Sequence, residues 1–295
     1  MAWIADADLA AAVSNAGGLG IIAGGSAPVD IVREQVRKCR TLTDQPFGVN
    51  IMLMSPAAPD IAQMVIDERV PVVTTGAGSP AKYMAAWLAA GIKVIPVIPS
   101  SGIARSVERQ GAVAVVAEGG ESGGHVGDLT TVALVPQVVD AVSVPVLAAG
   151  GIGDGRGMAA ALMLGACGVQ MGTRFLVARE CNVHPVYKQK ILAAKDIDTI
   201  ATGKRLGHPV RALKTPFSRR FFELEYDVSV ATEQLEKFGE GALQAAAMSG
   251  DEEHGAFMAG QIAGLVKAEQ SAAEIITDVV TQAEALLKGA STWVS

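Results

Sequence analysis

Val146-Leu147-Ala148-Ala149-Gly150-Gly151-Ile152-Gly153-Asp154-Gly155 reads as a short buried strand that ends in a glycine-dense turn, with a helix following from about Arg156. One unit later, Val169-Gln170-Met171-Gly172-Thr173-Arg174-Phe175 repeats the pattern, a strand running into a glycine turn. Strand, glycine turn and helix in succession belong to a parallel sheet, because the chain must cross back over the sheet before the next parallel strand. As strands seven and eight of a barrel, they place both turns on its C-terminal face, where barrel enzymes bind phosphate with backbone N–H groups and a helix N-terminus. Glycine suits that role because a Cβ would hold the backbone off the ligand, though glycines also simply make tight turns. Two such turns at successive strands favour the phosphate reading.

Upstream, apolar β-branched runs recur at Gly20 to Ala23, Phe47 to Met52, Val70 to Thr75, Ile92 to Ile98 and Val113 to Ala117. Helical patterns lie between them, such as Val32, Val36 and Cys39, with charges on the opposite face. The alternation predicts an α/β fold, a (β/α)8 TIM barrel rather than a doubly wound sheet. The segment Met1-Ala2-Trp3 runs almost at once into a helix, so the barrel is expected to lack its first strand and to have two open edges. Past Thr173 the rhythm stops. A helix is expected over 185–195, a polar basic stretch with turns over 196–220, an Ala-rich helix from Leu235 to Met248, and an amphipathic helix marked by Ile275, Ile276, Val279, Val280, Ala283, Leu286 and Leu287. The expected division is a barrel over 1–180, a helical and loop excursion near the active-site mouth over 181–270, and a C-terminal helix over 271–295 that packs back on the barrel.

Half of the residues are hydrophobic and 18% are charged, which excludes a disordered chain. The charge-free stretch from Leu9 to Val29 holds too many glycines and polar residues for a membrane span and reads as helix, turn and strand. Asp6 and Asp8 stand where a secretory leader would be basic, so a cytoplasmic location is expected. A net charge of -6 gives no general reason to bind nucleic acid. Cys39, Cys167 and Cys181 match no disulfide or zinc framework and are expected to be buried or semi-buried thiols, and no metal site is predicted.

A second glycine cluster, Glu118-Gly119-Gly120-Glu121-Ser122-Gly123-Gly124-His125-Val126-Gly127, follows the fifth of these runs and puts His125 on the catalytic face. There it is placed for acid-base or electrostatic work, whereas His184, His208 and His254 have no such setting. Asn50, polar within an apolar strand, either bonds neighbouring backbone or faces a ligand. The letters Gly18-x-Gly20-x-x-Ala23 match a dinucleotide fingerprint, but they precede a strand instead of following one and read as a helix cap and turn.

Several of these segments carry a family resemblance: Met1-Ala2-Trp3, Ala16-Gly17-Gly18-Leu19-Gly20, Phe47-Gly48-Val49-Asn50, Gly123-Gly124-His125, Ala149-Gly150-Gly151-Ile152 and Gln170-Met171-Gly172-Thr173. The chain resembles the flavin-dependent barrel family that contains nitronate monooxygenases and the type II enoyl-acyl carrier protein reductase. Asn50 to Pro56, Val73 to Gly78, Asp196 to Thr199 and Met258 to Val266 point to the reductase branch. The resemblance implies reduction of a trans-2-enoyl thioester on acyl carrier protein, with FMN as cofactor and NADH or NADPH as reductant, in a homodimer. It further implies FMN contacts at Met1, Asn50, Glu118, Gly123, Gly124, Gly150, Gly151, Gln170, Met171, Gly172 and Thr173. His125 would be catalytic, as proton donor, polariser of the thioester or orienter of the nicotinamide. Nine basic residues between Lys188 and Arg220 form a solvated face or a docking rim, with Lys204 and Arg205 as nicotinamide-phosphate candidates and Arg219 and Arg220 as carrier-protein contacts. The alternatives are a nitronate monooxygenase and a non-catalytic flavin- or phosphate-binding barrel.

Overall fold

The computed structural model describes residues 1–293. Its first helix, α1 (Ala7–Asn15), is capped by Asp6, whose carboxylate accepts from Leu9 N–H, and precedes the first strand of the chain. Six βα units follow, in which β1 (Gly20–Ala23), β2 (Phe47–Met52), β3 (Val72–Gly76), β4 (Lys93–Ile98) and β5 (Val115–Glu118) alternate with α2 (Val29–Leu42), α3 (Ala58–Asp67), α4 (Ala81–Ala89) and α5 (Ser101–Arg109). A two-residue strand, β6 (Gly124–His125), interrupts the rhythm before α6 (Thr131–Val139), β7 (Val146–Ala149), α7 (Gly155–Met163) and β8 (Gly168–Gln170).

The sheet has seven parallel strands in the order β1-β2-β3-β4-β5-β7-β8, curled and covered by helices in a TIM-barrel-like α/β arrangement. Each apolar run read from the sequence appears as one of these strands, with its ends in place or displaced by at most two residues. The core lies between sheet and helices and includes the fully buried Ile51, Ile61, Met64, Trp87, Ile98 and Leu134, with the Trp87 indole N–H donating to Ala62 O at 3.0 Å. Gly17, at φ +89°, makes the turn out of α1 and Gly20 opens β1, as expected for a cap rather than a dinucleotide loop.

Beyond β8 the chain is more structured than its polarity suggests. After α8 (Pro185–Ala193), the basic stretch forms β9 (Thr199–Thr202) and β10 (Val210–Leu213), which pair antiparallel with each other. β10 also pairs with β6, making a separate three-stranded sheet. Next come α9 (Pro216–Tyr226), α10 (Thr232–Gly239), the single turn α11 (Ala242–Gln244) and a π-turn at Ala245–Ser249. The expected continuous helix from Leu235 to Met248 is therefore broken, at Gly241, whose φ of +74° no helix accommodates. The last helix, α12 (Ala272–Gly289), starts at a Ser271/Glu274 capping box and packs back on α7 and α1, filling the helical layer between them. Cys39 and Cys181 are buried, but Cys167 is exposed, because it lies at the entry to edge strand β8. Among the described residues no helix is long and apolar enough to cross a membrane.

The seating of α1 on β1 requires Gly20, since a Cβ there would stand 1.9 Å from the Ala10 carbonyl oxygen. Gly20→Ala is expected to destabilise the chain by about 1–3 kcal/mol or more, as overpacking against backbone does. Gly102→Ala, in open space within α5, should be neutral or stabilise by up to about 1 kcal/mol. Urea denaturation of the two variants checks this, and equal effects would contradict it.

Candidate active site

Parallel strands bring their C-terminal ends to one edge, and register decides which side chains meet there. Glu118 pairs with Ala149, and Ala149 with Gln170, so the last residues of β5, β7 and β8 form one row. Glu118 and Gln170 are half-buried, and neither side chain hydrogen-bonds another described residue. Burial pushes the Glu118 carboxyl up to about 7. On the other side of the sheet, Ala23, Asn50 and Thr74 make a second row, in which Asn50 Nδ2 donates to Thr74 Oγ1 at 2.9 Å. Asn50 thus bonds a neighbouring side chain, not backbone, and keeps its carbonyl oxygen for another donor.

The turn after β7 passes through Gly150 (φ +88°) and Gly151 (φ +71°), conformations that favour glycine. A Cβ on Gly150 would also meet the Gly119 carbonyl oxygen at 2.7 Å, so the two glycine turns touch. Thr131, the first residue of α6, joins them. Its hydroxyl lies 2.9 Å from Gly150 O, 3.2 Å from Ala149 O and 3.0 Å from a Glu121 carboxylate oxygen, and its one proton serves one of them at a time. Glu121 in turn accepts from Thr131 N–H at 3.0 Å. The first N–H groups of α7 are already used, Gly155 by Gln282 Oε1 at 2.7 Å and Arg156 and Gly157 by the Asp154 cap. A ligand anion would therefore meet the turns themselves, where the N–H groups of Gly151, Ile152, Gly153 and Gly172 bond no other described residue. Met1 packs beside Gly172, with its sulfur 3.5 Å from the place of a Cβ there.

The His125 loop is held from outside the barrel. Val210 pairs with His125 and Arg211 with Gly124, Val126 N–H donates to Pro209 O at 3.0 Å, and the Arg211 guanidinium donates to Gly120 O at 3.0 Å. The segment Met258 to Gln261 threads between this loop and the turn after β8. Gly260 N–H donates to Thr173 Oγ1 at 2.9 Å, Gln261 N–H donates to Glu121 O at 2.9 Å, and a Cβ on Gly123 would strike Ala259. His125 itself opens to solvent, yet the protein around its ring lowers its pKa, and the charge of His208 acts in the same direction. His208 stacks on it with ring centroids 6.2 Å apart. Sequence reading gave His208 no place beside His125; pairing of β10 with β6, across more than 80 residues of chain, brings the two rings together.

The basic run is largely engaged. Lys188 pairs with Glu269, Lys190 with Glu252 and Arg220 with Glu223. Arg205 donates through its guanidinium to the carbonyls of Glu225, Asp227 and Val230 at the end of α9. The buried Glu225 carboxylate accepts from Gly203 N–H and Arg205 N–H, so the turn carrying Lys204 already holds a carboxylate. Lys204 and Arg219 are exposed.

The structure therefore brings Glu118, Gly123, Gly124, His125, Gly150, Gly151, Gln170, Gly172 and Thr173 together, with Met1 beside Gly172, whereas Met171 packs against the core and Asn50 lies on β2, separated from β5 by β3 and β4. Sequence reading missed Glu121, Thr131, Arg211 and His208. Glu121, inside the quoted glycine cluster, and Arg211, one of the nine basic residues, carried a local signal; Thr131 and His208 did not.

A family model described as nitronate monooxygenase matches residues 1–68 and 62–282. The solved structure of FabK from Thermotoga maritima superposes with a TM-score of 0.96 at 50% identity, over 99% of this chain and 93% of that one. A (3aS,4S,5R,7aS)-5-hydroxy-7a-methyl-1-oxo-octahydro-1H-indene-4-carboxyl-CoA dehydrogenase from Rhodococcus jostii is 44% identical over 73% of this chain, and the match spans 61% of that relative's length. A probable nitronate monooxygenase from Staphylococcus saprophyticus is 32% identical over 97% of this chain and 94% of its own.

Glu118 supplies a pH test. Its carboxyl binds a proton up to about pH 7 when folded but only near its ordinary 4.5 when unfolded. Between those values the folded chain holds more protons, so stability present at low pH is lost as pH rises through 7. Relative to Glu118→Gln, the ligand-free parent is expected to lose on the order of 2 kcal/mol of unfolding free energy between about pH 5 and about pH 8. Parallel stability profiles for parent and variant would contradict the buried, unpaired carboxyl.

Proposed function

This chain belongs to the nitronate monooxygenase family, and we propose that within it the protein is an enoyl-acyl carrier protein reductase, using NADH or NADPH and FMN to reduce the C2=C3 bond of a trans-2-enoyl thioester. The observation that carries this reading is the match to FabK, the enoyl-acyl carrier protein reductase II, along nearly the whole of both chains. The Rhodococcus relative is named for a carboxyl-CoA substrate, a thioester of the same chemical class.

The residues present fit a flavin. Free N–H groups of the two glycine turns suit its phosphate, and the unpaired Gln170 amide, the Glu118 carboxyl and the partnerless buried Ser122 hydroxyl suit a polar ring edge. In this reading Gly150, Gly151, Gly172 and Thr173 hold the phosphate, while Met1, Asn50, Glu118, Gly123, Gly124, Gln170 and Met171 surround the ring. When bound, FMN would take a hydride from the nicotinamide and deliver it to C3. His125, its pKa held below the ordinary value, is neutral at pH 7 and carries one ring N–H. It is thereby suited to hydrogen-bond the thioester oxygen and polarise the double bond, a role that proton donation by an imidazolium would not match at that pH. Arg219 and Arg220, on α9, are the surface cations assigned to the acidic carrier protein.

A second reading, nitronate oxidation by oxygen, is favoured by the family description and by the Staphylococcus relative, which matches over nearly its full length. Crotonyl thioester should drive NAD(P)H consumption, whereas an alkyl nitronate should not drive oxygen uptake at a comparable rate. The reverse result would assign the second reading, and a colourless protein that takes up no flavin would assign a non-catalytic barrel.

Two substitutions refine this. Gly151→Ala places a methyl in ordinary contact with Glu121, 3.5 Å away, at a φ of +71° that a side chain rarely adopts, in the turn assigned to the phosphate. It should sharply lower FMN retention at a folding cost of about 1 kcal/mol, and unchanged flavin content would remove the turn from the phosphate site. His125→Ala should retain FMN and lose roughly 100-fold or more of enoyl-thioester turnover. Turnover within a few-fold of the parent would make His125 structural.

A further inference from the structure

His208 sits in the tip between β9 and β10, half-buried, with its ring 18° from parallel to that of His125. Its own orientation is fixed. Nδ1 lies 2.8 Å from the Leu206 carbonyl oxygen, which can only accept, so Nδ1 carries the proton in the neutral ring and Nε2 remains free. The tip is rigid for a loop: Gly203 (φ +82°) and Gly207 (φ +78°) bracket a 3-10 turn at Lys204–Leu206, and Glu225 binds the turn's N–H groups. The same strand, β10, is paired to β6, so the stack and the His125 backbone are held by one element. A geometry this constrained is more than a surface hairpin needs.

We propose that His208 is a positioning residue for His125, which it holds by ring stacking in the orientation that faces the mouth, and that the charge of His208 acts on the His125 ring. The assignment of turnover to His125 rests on the reductase reading above, whereas the stacking and the coupling do not. The charged groups around His125 are His208 and Arg211 on β10, Glu118 at the end of β5, Glu121 in the following loop and the amino group of Met1. Of these, His208 and the amino group of Met1 oppose a proton on His125, and His208 is the one whose ring lies against it.

The test compares His208→Phe, which keeps a ring but no charge, with His208→Ala, which keeps neither. Imidazole NMR of histidine-labelled, FMN-loaded protein follows His125 directly. In both variants His125 should titrate at higher pH than in the parent, because a neighbouring charge is gone. With crotonyl thioester at about pH 8, His208→Ala should lower kcat on the order of 10- to 100-fold with little change in KM, as misplacement of a reacting group does. His208→Phe, which keeps a ring to stack on His125, should recover most of that loss. An unchanged His125 titration in both variants overturns the coupling, and unchanged kcat in a folded, flavin-loaded His208→Ala overturns the positioning. If the parent has no enoyl-thioester turnover, the reductase reading falls, and the NMR arm still decides whether the histidines form a pair.

Discussion

Everything at the mouth depends on the register of the β5-β7-β8 ladder. Because Glu118, Ala149 and Gln170 are mutual partners, three strands end level, and the turns that leave them start from one plane. A one-residue slip in any of them would send Glu118 or Gln170 to the opposite face of the sheet. The Gly119 and Gly150 turns would then no longer touch, and Thr131 could not span them. The glycines are needed here chiefly for this close approach of backbone to backbone, which in turn leaves a run of N–H groups without protein partners.

The barrel-like sheet supplies this floor but not the walls. Those come from distant segments: β10 pairs with the His125 loop, and Met258 to Gln261 bonds both Glu121 and Thr173. Loops that would be mobile on their own are thereby clamped, which is what a site needs if its polar groups are to be pre-oriented. The clamp also explains how so glycine-rich a segment keeps one conformation, since its freedom is removed by neighbours rather than by its own side chains.

A frame of this kind is compatible with more than one oxidant and substrate, and relatives in the same family carry names for different reactions. Floor residues set what cofactor fits. The walls set what reaches it, and they belong to the C-terminal third, where the excursion and α12 pack. Much of the charge of that third is spent within the fold, on Glu223, Glu252, Glu269 and backbone carbonyls, so a count of basic residues overstates the charge available to a partner.

The seven parallel strands, their helices and the glycine turns were legible in the sequence, because each is written locally: an apolar β-branched run buried on both faces, an amphipathic repeat, a glycine where no side chain fits. The amphipathic pattern of α12 was equally plain. What stayed hidden depends on pairing between remote segments. β9 and β10 lie in a polar, basic stretch that hides them, and they exist as strands because they pair with each other and β10 with β6. His208 reads as an isolated surface histidine until that pairing stacks it on His125, and Thr131 reads as a helix start until two turns close on its hydroxyl. Local chemistry determined the sheet and the glycine turns that leave it. Tertiary packing alone decided which side chains stand beside His125, since that proximity is set by hydrogen-bond register between strands far apart in the chain.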